Sequence, residues 1–280
     1  MASLRYVVAD VFTDTPLTGN QLAVFTDARE LDEQAMQALA LEVGFSETVY
    51  VLPSETDGDV RIRIFTPRVE LPFAGHPVLG TAFVLGAPLQ RDVIALETGS
   101  GVVPVELERD ESGSIVFGRM AQPVPRVEPY PRSEELLAAL GAAGSKLPIE
   151  LYDNGARPIH VILGSEQEVA ELHPDLAALE ELAVMAACSA GSGGRWKTRM
   201  FAPYGGVAED PATGSAAGPL ACHLCRHGLV EWGEWIEIVQ GVEIGRPSTL
   251  FARASGSDGT IEQVDVGGRA VVVARGEFRF

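Results

Sequence analysis

Three ionisable residues stand among neighbours that do not suit them. Glu47 lies in "FSETVYVL", whose alternation reads as a strand with Phe45, Glu47, Val49 and Val51 on one face. A lone carboxylate on an apolar face holds its proton more tightly unless it is paired, and such a group takes and returns protons near neutral pH. The bland alternative is a salt bridge to Arg61 or Arg63. His76 heads "HPVLGTA" and Asp210 heads "DPATGSA". Each is a polar residue followed by Pro, two residues, Gly, a hydroxyl residue and Ala. The plain reading of both is a helix cap, for which Asp is well suited and His poorly.

The two short motifs belong to a longer echo. Residues 63–82 read "RIFTPRVELPFAGHPVLGTA" and residues 199–216 read "RMFAPYGGVAEDPATGSA". The alignment pairs Arg63 with Arg199, Phe65 with Phe201, Pro67 with Pro203, His76 with Asp210, Pro77 with Pro211, Gly80 with Gly214 and Thr81 with Ser215. A period near half the chain points to duplicated domains. Each copy is expected to be a strand, a loop and a helix with Pro at its first position, spanning 77–85 and 211–227. Both helices lack a polar face, so protein must surround them. Helix starts carry unpaired N–H groups and partial positive charge, and small residues let a carboxylate come close. Two such starts on a pseudo-twofold cleft would set His76 and Asp210 on opposite walls.

The elements that must position these residues are mostly strands. "RYVVADVF", "ETVYVL", "VRIRIFT", "DVIALET", "VVPVELE" and "SIVFG" have sheet character in the first half, as do "RPIHVIL", "WIEIVQ", "STLFARA" and "AVVVARG" in the second. Helices are expected in "DEQAMQALALEVG", started by Asp32 and ended by Gly44, in "SEELLAALG" and in "DLAALEELAVMAA". The Pro-rich stretch 122–133, "QPVPRVEPYPRS", reads as a linker. Domains of 1–125 and 126–280 follow, with the last strand free to cross to the first. A sheet wrapped round a central helix, twice, is the architecture these patterns predict.

Bulk properties narrow the function. The 280 residues are 46% hydrophobic and 21% charged, a globular composition, and the net charge of −18 disfavours nucleic acid and anionic membranes. No apolar run is long enough to span a bilayer, and the N-terminal apolar stretch is too short for a signal peptide, so a cytoplasmic protein is expected. Cys222 and Cys225 in "CHLC" fall late in a helical pattern, where they read as ordinary helix cysteines and not as a metal or redox pair. "SAGSGG" lacks the frame of a phosphate loop, and Ser215 has no nucleophile elbow around it. What remains is proton transfer by Glu, His and Asp on a carboxylate ligand. Non-catalytic binding of such a ligand is the alternative from another class.

The stretches "DVFTDTPLTGNQLAVF", "FSETVYV", "RIFTPRVELPFAGHPVLGTA", "RMFAP", "EDPATGSAAGPL" and "QGVEIGRPS" resemble the phenazine-biosynthesis PhzF family from residue 10 to residue 248. The resemblance implies an α+β, diaminopimelate-epimerase-like fold of two pseudo-symmetric halves, each a barrel-like sheet around a central helix. It implies a cofactor-free, metal-free homodimer that isomerises trans-2,3-dihydro-3-hydroxyanthranilate to an aminoketone precursor of phenazines. By motif, Glu47 would carry the proton and His76 and Asp210 would be its catalytic partners. Gly75, Gly214 and Ser215 would hold the substrate carboxylate and ring oxygen. Asp153 in "YDNG" departs from the "HNG" of the founding enzyme, which leaves an isomerase of another small cyclic or amino-acid-derived acid as a further reading. The racemases of this fold use two thiols, and neither "FAGHP" nor "AEDPATG" contains one.

Overall fold

The computed structural model describes residues 3–279. They fall into two compact units, one formed by the chain up to Ala121 with the segment from Gly267 onward, the other by Gln122–Val266.

In the first unit the strands are β1 (Ser3–Val11), β2 (Asn20–Phe25), β3 (Glu47–Leu52), β4 (Val60–Phe65), β5 (Glu70–Leu71), β6 (Val93–Thr98), β7 (Gly101–Arg109) and β8 (Ile115–Gln122, its last residue in the second unit). Two helices join them, α1 (Glu33–Val43) between β2 and β3 and α2 (Gly75–Leu89) between β5 and β6. Asp32 caps α1 by accepting from Ala35 N, and Gly44 ends it at φ 68°, as its sequence signals require. Strand β2 runs parallel to β3 and β4 parallel to β6, whereas β1–β2, β3–β4, β4–β5 and β6–β7 are antiparallel. Helix α2 packs against β1, β2, β3, β6 and β7, so the sheet curls round it. On the sheet's other face, α1 contributes Met36, Leu39 and Ala40 to a cluster with Phe25, Tyr50 and Phe65.

The second unit holds β9 (Arg126–Pro129), α3 (Ser133–Leu140), β10 (Glu150–Asp153), β11 (Pro158–Ile162), α4 (Glu166–Ala170), α5 (Leu176–Leu182), β12 (Met185–Ser192) and β13 (Arg195–Ala202). It continues with β14 (Val207–Asp210), α6 (Gly214–Arg226), β15 (Trp235–Gln240), β16 (Ser248–Ser257) and β17 (Thr260–Gly268, its last two residues in the first unit). The pairing copies the first unit strand for strand. Strand β11 is parallel to β12 and β13 to β15, while β10–β11, β12–β13, β13–β14 and β15–β16 are antiparallel. Helices α3, α4 and α5 cover the outer face, with Leu136, Val169, Leu179 and Phe201 in one core. Helix α6 is buried from Gly214 to Cys225. The last strand, β18 (Ala270–Arg279), returns to the first unit and pairs antiparallel with β1.

Four sequence expectations change. The Pro-rich stretch is not a bare linker: Arg126–Pro129 forms β9 antiparallel to β10, a sheet-edge position where a missing N–H is tolerated. Helix α5 stops at Leu182, and "MAA" instead opens β12, because Ala183 takes a left-handed turn at φ 55° and the apolar run beyond it pairs with β11 and β13. Helix α2 begins at Gly75 and runs past Gly86 to Leu89; Pro77 lies in its first turn, where N–H groups have no intrahelical acceptor. Helix α6 begins at Gly214, three residues after Pro211, because residues 210–213 are held in a non-helical turn by Gln240.

Candidate active site

The sequence candidates gather in two sets, one in each unit. In the first, Glu47 opens β3 beside Leu22 of β2, and Gly75 and His76 form the start of α2. His76 Nε2 lies 3.6 Å from Glu47 Oε2, with side chains only 4% and 17% exposed. The two arginines of the salt-bridge alternative for Glu47 are engaged elsewhere: Arg61 with Glu55, Arg63 with Glu70 and Glu33. Glu47 Oε2 has no hydrogen-bond partner among the described residues. Burial therefore dominates and pushes its carboxyl up to about 7, with the neighbouring Ser46 side chain pulling the other way. The result is a carboxylate and its acid in balance near neutral pH, touching a histidine.

Neither His76 nor Asp210 is the helix cap of the plain reading. Ala74 caps α2 and Thr213 caps α6, and neither makes a side-chain capping hydrogen bond. In the second unit Asp210 ends β14 and accepts a short hydrogen bond from Thr213 Oγ1. Gln240 fixes this turn, donating to Asp210 O at 2.8 Å and Thr213 Oγ1 at 3.0 Å. Gly214 and Ser215 are the first two helical residues, both buried. Their carbonyls accept from Gln122 Nε2 and Asn154 Nδ2, each at 3.0 Å. Two buried amides thus pin the start of α6 while its small residues keep the backbone approachable.

Sequence reasoning missed Asn20, Ser46, Asn154 and Gln240. Asn20 and Ser46 sat inside the quoted stretches "LTGNQ" and "FSETV", and Asn154 follows Asp153 in "YDNG". Asp153 itself faces Arg126 and Arg157 at 3.8 Å and accepts from Gly155 N, so the buried member of that motif is Asn154.

A second polar cluster lies at the far end of α6. Glu150 Oε2 accepts from Tyr152 Oη, His223 Nδ1, Arg226 and His227 Nε2 at 2.8–3.1 Å. Glu150, His223 and His227 present metal-ligand atoms within 4.8 Å of one another. The Arg226 guanidinium already fills the cation's role at the carboxylate. Burial opposes the charge on Glu150, yet these donors hold it well below the usual carboxylate range. Cys188, Cys222 and Cys225 are free and buried, and burial pushes their thiols up to about 12, 12 and 11. Such thiols stay protonated at neutral pH, and Cys222 and Cys225 lie within α6, in keeping with the helix-cysteine reading of that pair.

Comparison with known proteins gives a consistent result. A profile described as phenazine biosynthesis-like protein, PhzC-PhzF, matches residues 9–276. The chain is 52% identical over 273 residues to a trans-2,3-dihydro-3-hydroxyanthranilate isomerase of Pseudomonas aeruginosa, covering 97% of this chain and 98% of that one. Among solved structures, a PhzF-family phenazine biosynthesis protein of Bacillus anthracis superposes with a TM-score of 0.87 at 26% identity over the whole of both chains. A hydroxyproline epimerase of Agrobacterium vitis shares the fold, with a TM-score of 0.67 at 12% identity over 98% of this chain and 92% of that one.

Proposed function

From the chain's membership of the PhzC-PhzF family, we propose that it is a cofactor-free isomerase converting trans-2,3-dihydro-3-hydroxyanthranilate to an aminoketone precursor of phenazines. The observation that carries the mechanism is Glu47: a buried carboxylate with no arginine or lysine partner among the described residues, balanced near pH 7 and 3.6 Å from His76. As carboxylate it removes a ring C–H proton, and the electron pair left on carbon shifts through the adjacent unsaturation. As carboxylic acid it returns the same proton to another ring carbon. The enol so formed tautomerises to the ketone, and no oxidant or reductant enters. His76 and Asp210 assist the proton movements, while Gly75, Gly214 and Ser215 receive the substrate carboxylate and ring oxygen. A helix start with small residues suits an anion. A homodimer in the cytoplasm is part of this reading, and the three free thiols suit a reducing compartment.

Incubation of the purified protein with trans-2,3-dihydro-3-hydroxyanthranilate in deuterated water tests the proposal. Consumption of substrate is expected, with deuterium at the carbon protonated when the enol becomes the ketone, and at the carbon that receives the migrating proton only as far as the Glu47 acid exchanges with solvent. Glu47→Gln should bind substrate yet lose on the order of 10²–10⁴ in kcat, the usual worth of a general acid–base. A variant with near wild-type turnover would refute the role of Glu47. Absence of turnover with this substrate, but exchange with a related cyclic acid, would move the assignment to another substrate of the family.

A further inference from the structure

The Glu47 site contains a chain of hydrogen bonds that ends on the histidine and not on the carboxylate. Asn20, the first residue of β2, is 1% exposed. Its Nδ2 lies 3.3 Å from His76 Nδ1. Its Oδ1 accepts from Ser46 Oγ at 3.0 Å. Ser46 is the residue immediately before Glu47.

The direction of these bonds decides the state of the ring. The Asn20 amide places its oxygen toward Ser46, which donates to it, and its nitrogen toward the histidine. The amide nitrogen, a donor only, then meets His76 Nδ1, which must present its lone pair. In a neutral imidazole the proton therefore sits on Nε2, the nitrogen 3.6 Å from Glu47 Oε2. The N–H is aimed at the group that exchanges protons with substrate.

We infer that Asn20, locked by Ser46, is a positioning residue that holds His76 in its Nε2–H form, so that the histidine faces the Glu47 carboxylate as a donor and not as a competing base. The inference rests on the proton-transfer reading of Glu47 for its functional meaning. Its structural content stands separately. With the opposite tautomer, two lone pairs would face each other across 3.6 Å, and the histidine would neither steady the carboxylate nor feed a proton to the substrate oxygen. Backbone geometry supports the placement of Asn20. Gly19 precedes it at φ +68°, and a Cβ there would lie 2.5 Å from both Thr13 Cγ2 and Val11 O. The turn that delivers Asn20 to His76 thus has no room for a side chain.

The test is nitrogen NMR on the whole protein labelled in histidine, read without substrate. The chain has five histidines, and loss of one resonance pair in His76→Gln identifies His76. The wild type is expected to show a protonated Nε2 and an unprotonated Nδ1. Asn20→Asp keeps the size but offers only acceptors, so Nδ1 should become protonated. Its kcat should fall on the order of 10²-fold, with KM shifting less than about three-fold, as for other wrong-tautomer histidines. Ser46→Ala frees the amide to turn and should give a mixture of tautomers with a smaller loss of kcat; it reads the same point if Asn20→Asp fails to fold. An Nδ1–H tautomer in the wild type, an Asn20→Asp spectrum like the wild type's, or a switched tautomer with unchanged kcat would each overturn the inference. A wild type that shows the Nε2–H form but no isomerase activity would leave the positioning intact and defeat the function proposed for the site.

Discussion

In the proposed role Glu47 serves chemistry at the expense of stability, and the raised pKa sets how much. Its carboxyl, ordinarily near 4.5, is pushed up to about 7 by burial. Below pH 4.5 it is protonated in both the folded and unfolded chain, and it costs nothing. Between 4.5 and 7 the unfolded chain ionises while the folded one keeps its proton, so stability falls as pH rises. Above 7 the full cost is present, about 3–4 kcal/mol for a shift of this size. Glu47→Gln is thus expected to be more stable than wild type by about that amount at pH 8 and equal to it near pH 4.5. Urea titrations at the two pH values check this; equal stability at both would mean that the carboxylate is paired. The proposed catalysis has the opposite sign. The base form grows in as pH rises through about 7, so kcat/KM should rise over the same interval. Glu47 was legible in the sequence because a carboxylate broke an apolar alternation. Asn20 was not, since an Asn after Gly at a strand's start is ordinary turn chemistry and its buried partner lies 56 residues away.

At the scale of elements, the repeated Arg-x-Phe-x-Pro motif proves to be a repeated contact. Arg63 stacks over the Phe65 ring at 5.1 Å and Arg199 over the Phe201 ring at 4.9 Å. Each guanidinium then meets a glutamate on the short strand that follows, Glu70 on β5 and Glu209 on β14. The pattern was readable because side-chain identity and spacing encode these pairs directly. The helix starts were misplaced because Pro at 77 and 211 signals only that an N–H is dispensable, which holds before a helix as well as within its first turn. What set the real start of α6 was Gln240, a long-range partner that no local pattern contains. The glycines of the central helices carry a sharper consequence. A Cβ on Gly80 would lie 2.6 Å from Val11 Cγ2 and 2.7 Å from Leu22 Cδ2. Exposed Gly→Ala in a helix gains about 1 kcal/mol, but overpacking a closed core costs about 1–3 kcal/mol. The steric loss exceeds the propensity gain here, so Gly80→Ala should destabilise the protein by about 1–2 kcal/mol. A lowered urea midpoint with an unchanged slope would be the signature. A stabilised variant would show that α2 is free to shift away from β1 and β2.

For the whole molecule, the instructive segment is the last one. Nine residues of β1 pair with β18, from Ser3 with Arg279 to Val11 with Ala270. Phe278 packs on Tyr6 and Phe25 at centroid separations of 5.1 and 5.7 Å. Beside Gly276 there is space only for the Tyr6 ring, to which an added Cβ would come within 2.6 Å. Chain ends more than 250 residues apart therefore build one sheet edge, and α2 packs on β18 as it does on β1. We propose that the first domain is complete only with this segment. Residues 1–121 alone would leave β1 with an open edge and bare aromatic rings, a template for aggregation. Joining 267–280 to residue 121 through a flexible linker restores both. The short form is expected to be insoluble or without a cooperative melt, and the joined form soluble with one, seen by circular dichroism. The linked form should also retain β1 amide protection in hydrogen exchange, because those N–H groups are paired on both sides. If the short form melted as cooperatively as the joined one, β18 would be an ornament on the first domain and not a part of it. The duplicated pairing scheme favours the stronger view: β9 closes on β10 in the second unit as β18 closes on β1 in the first. The two closing strands differ in length, four residues against ten, and in origin, one supplied from just ahead of its partner in the chain and one from its far end.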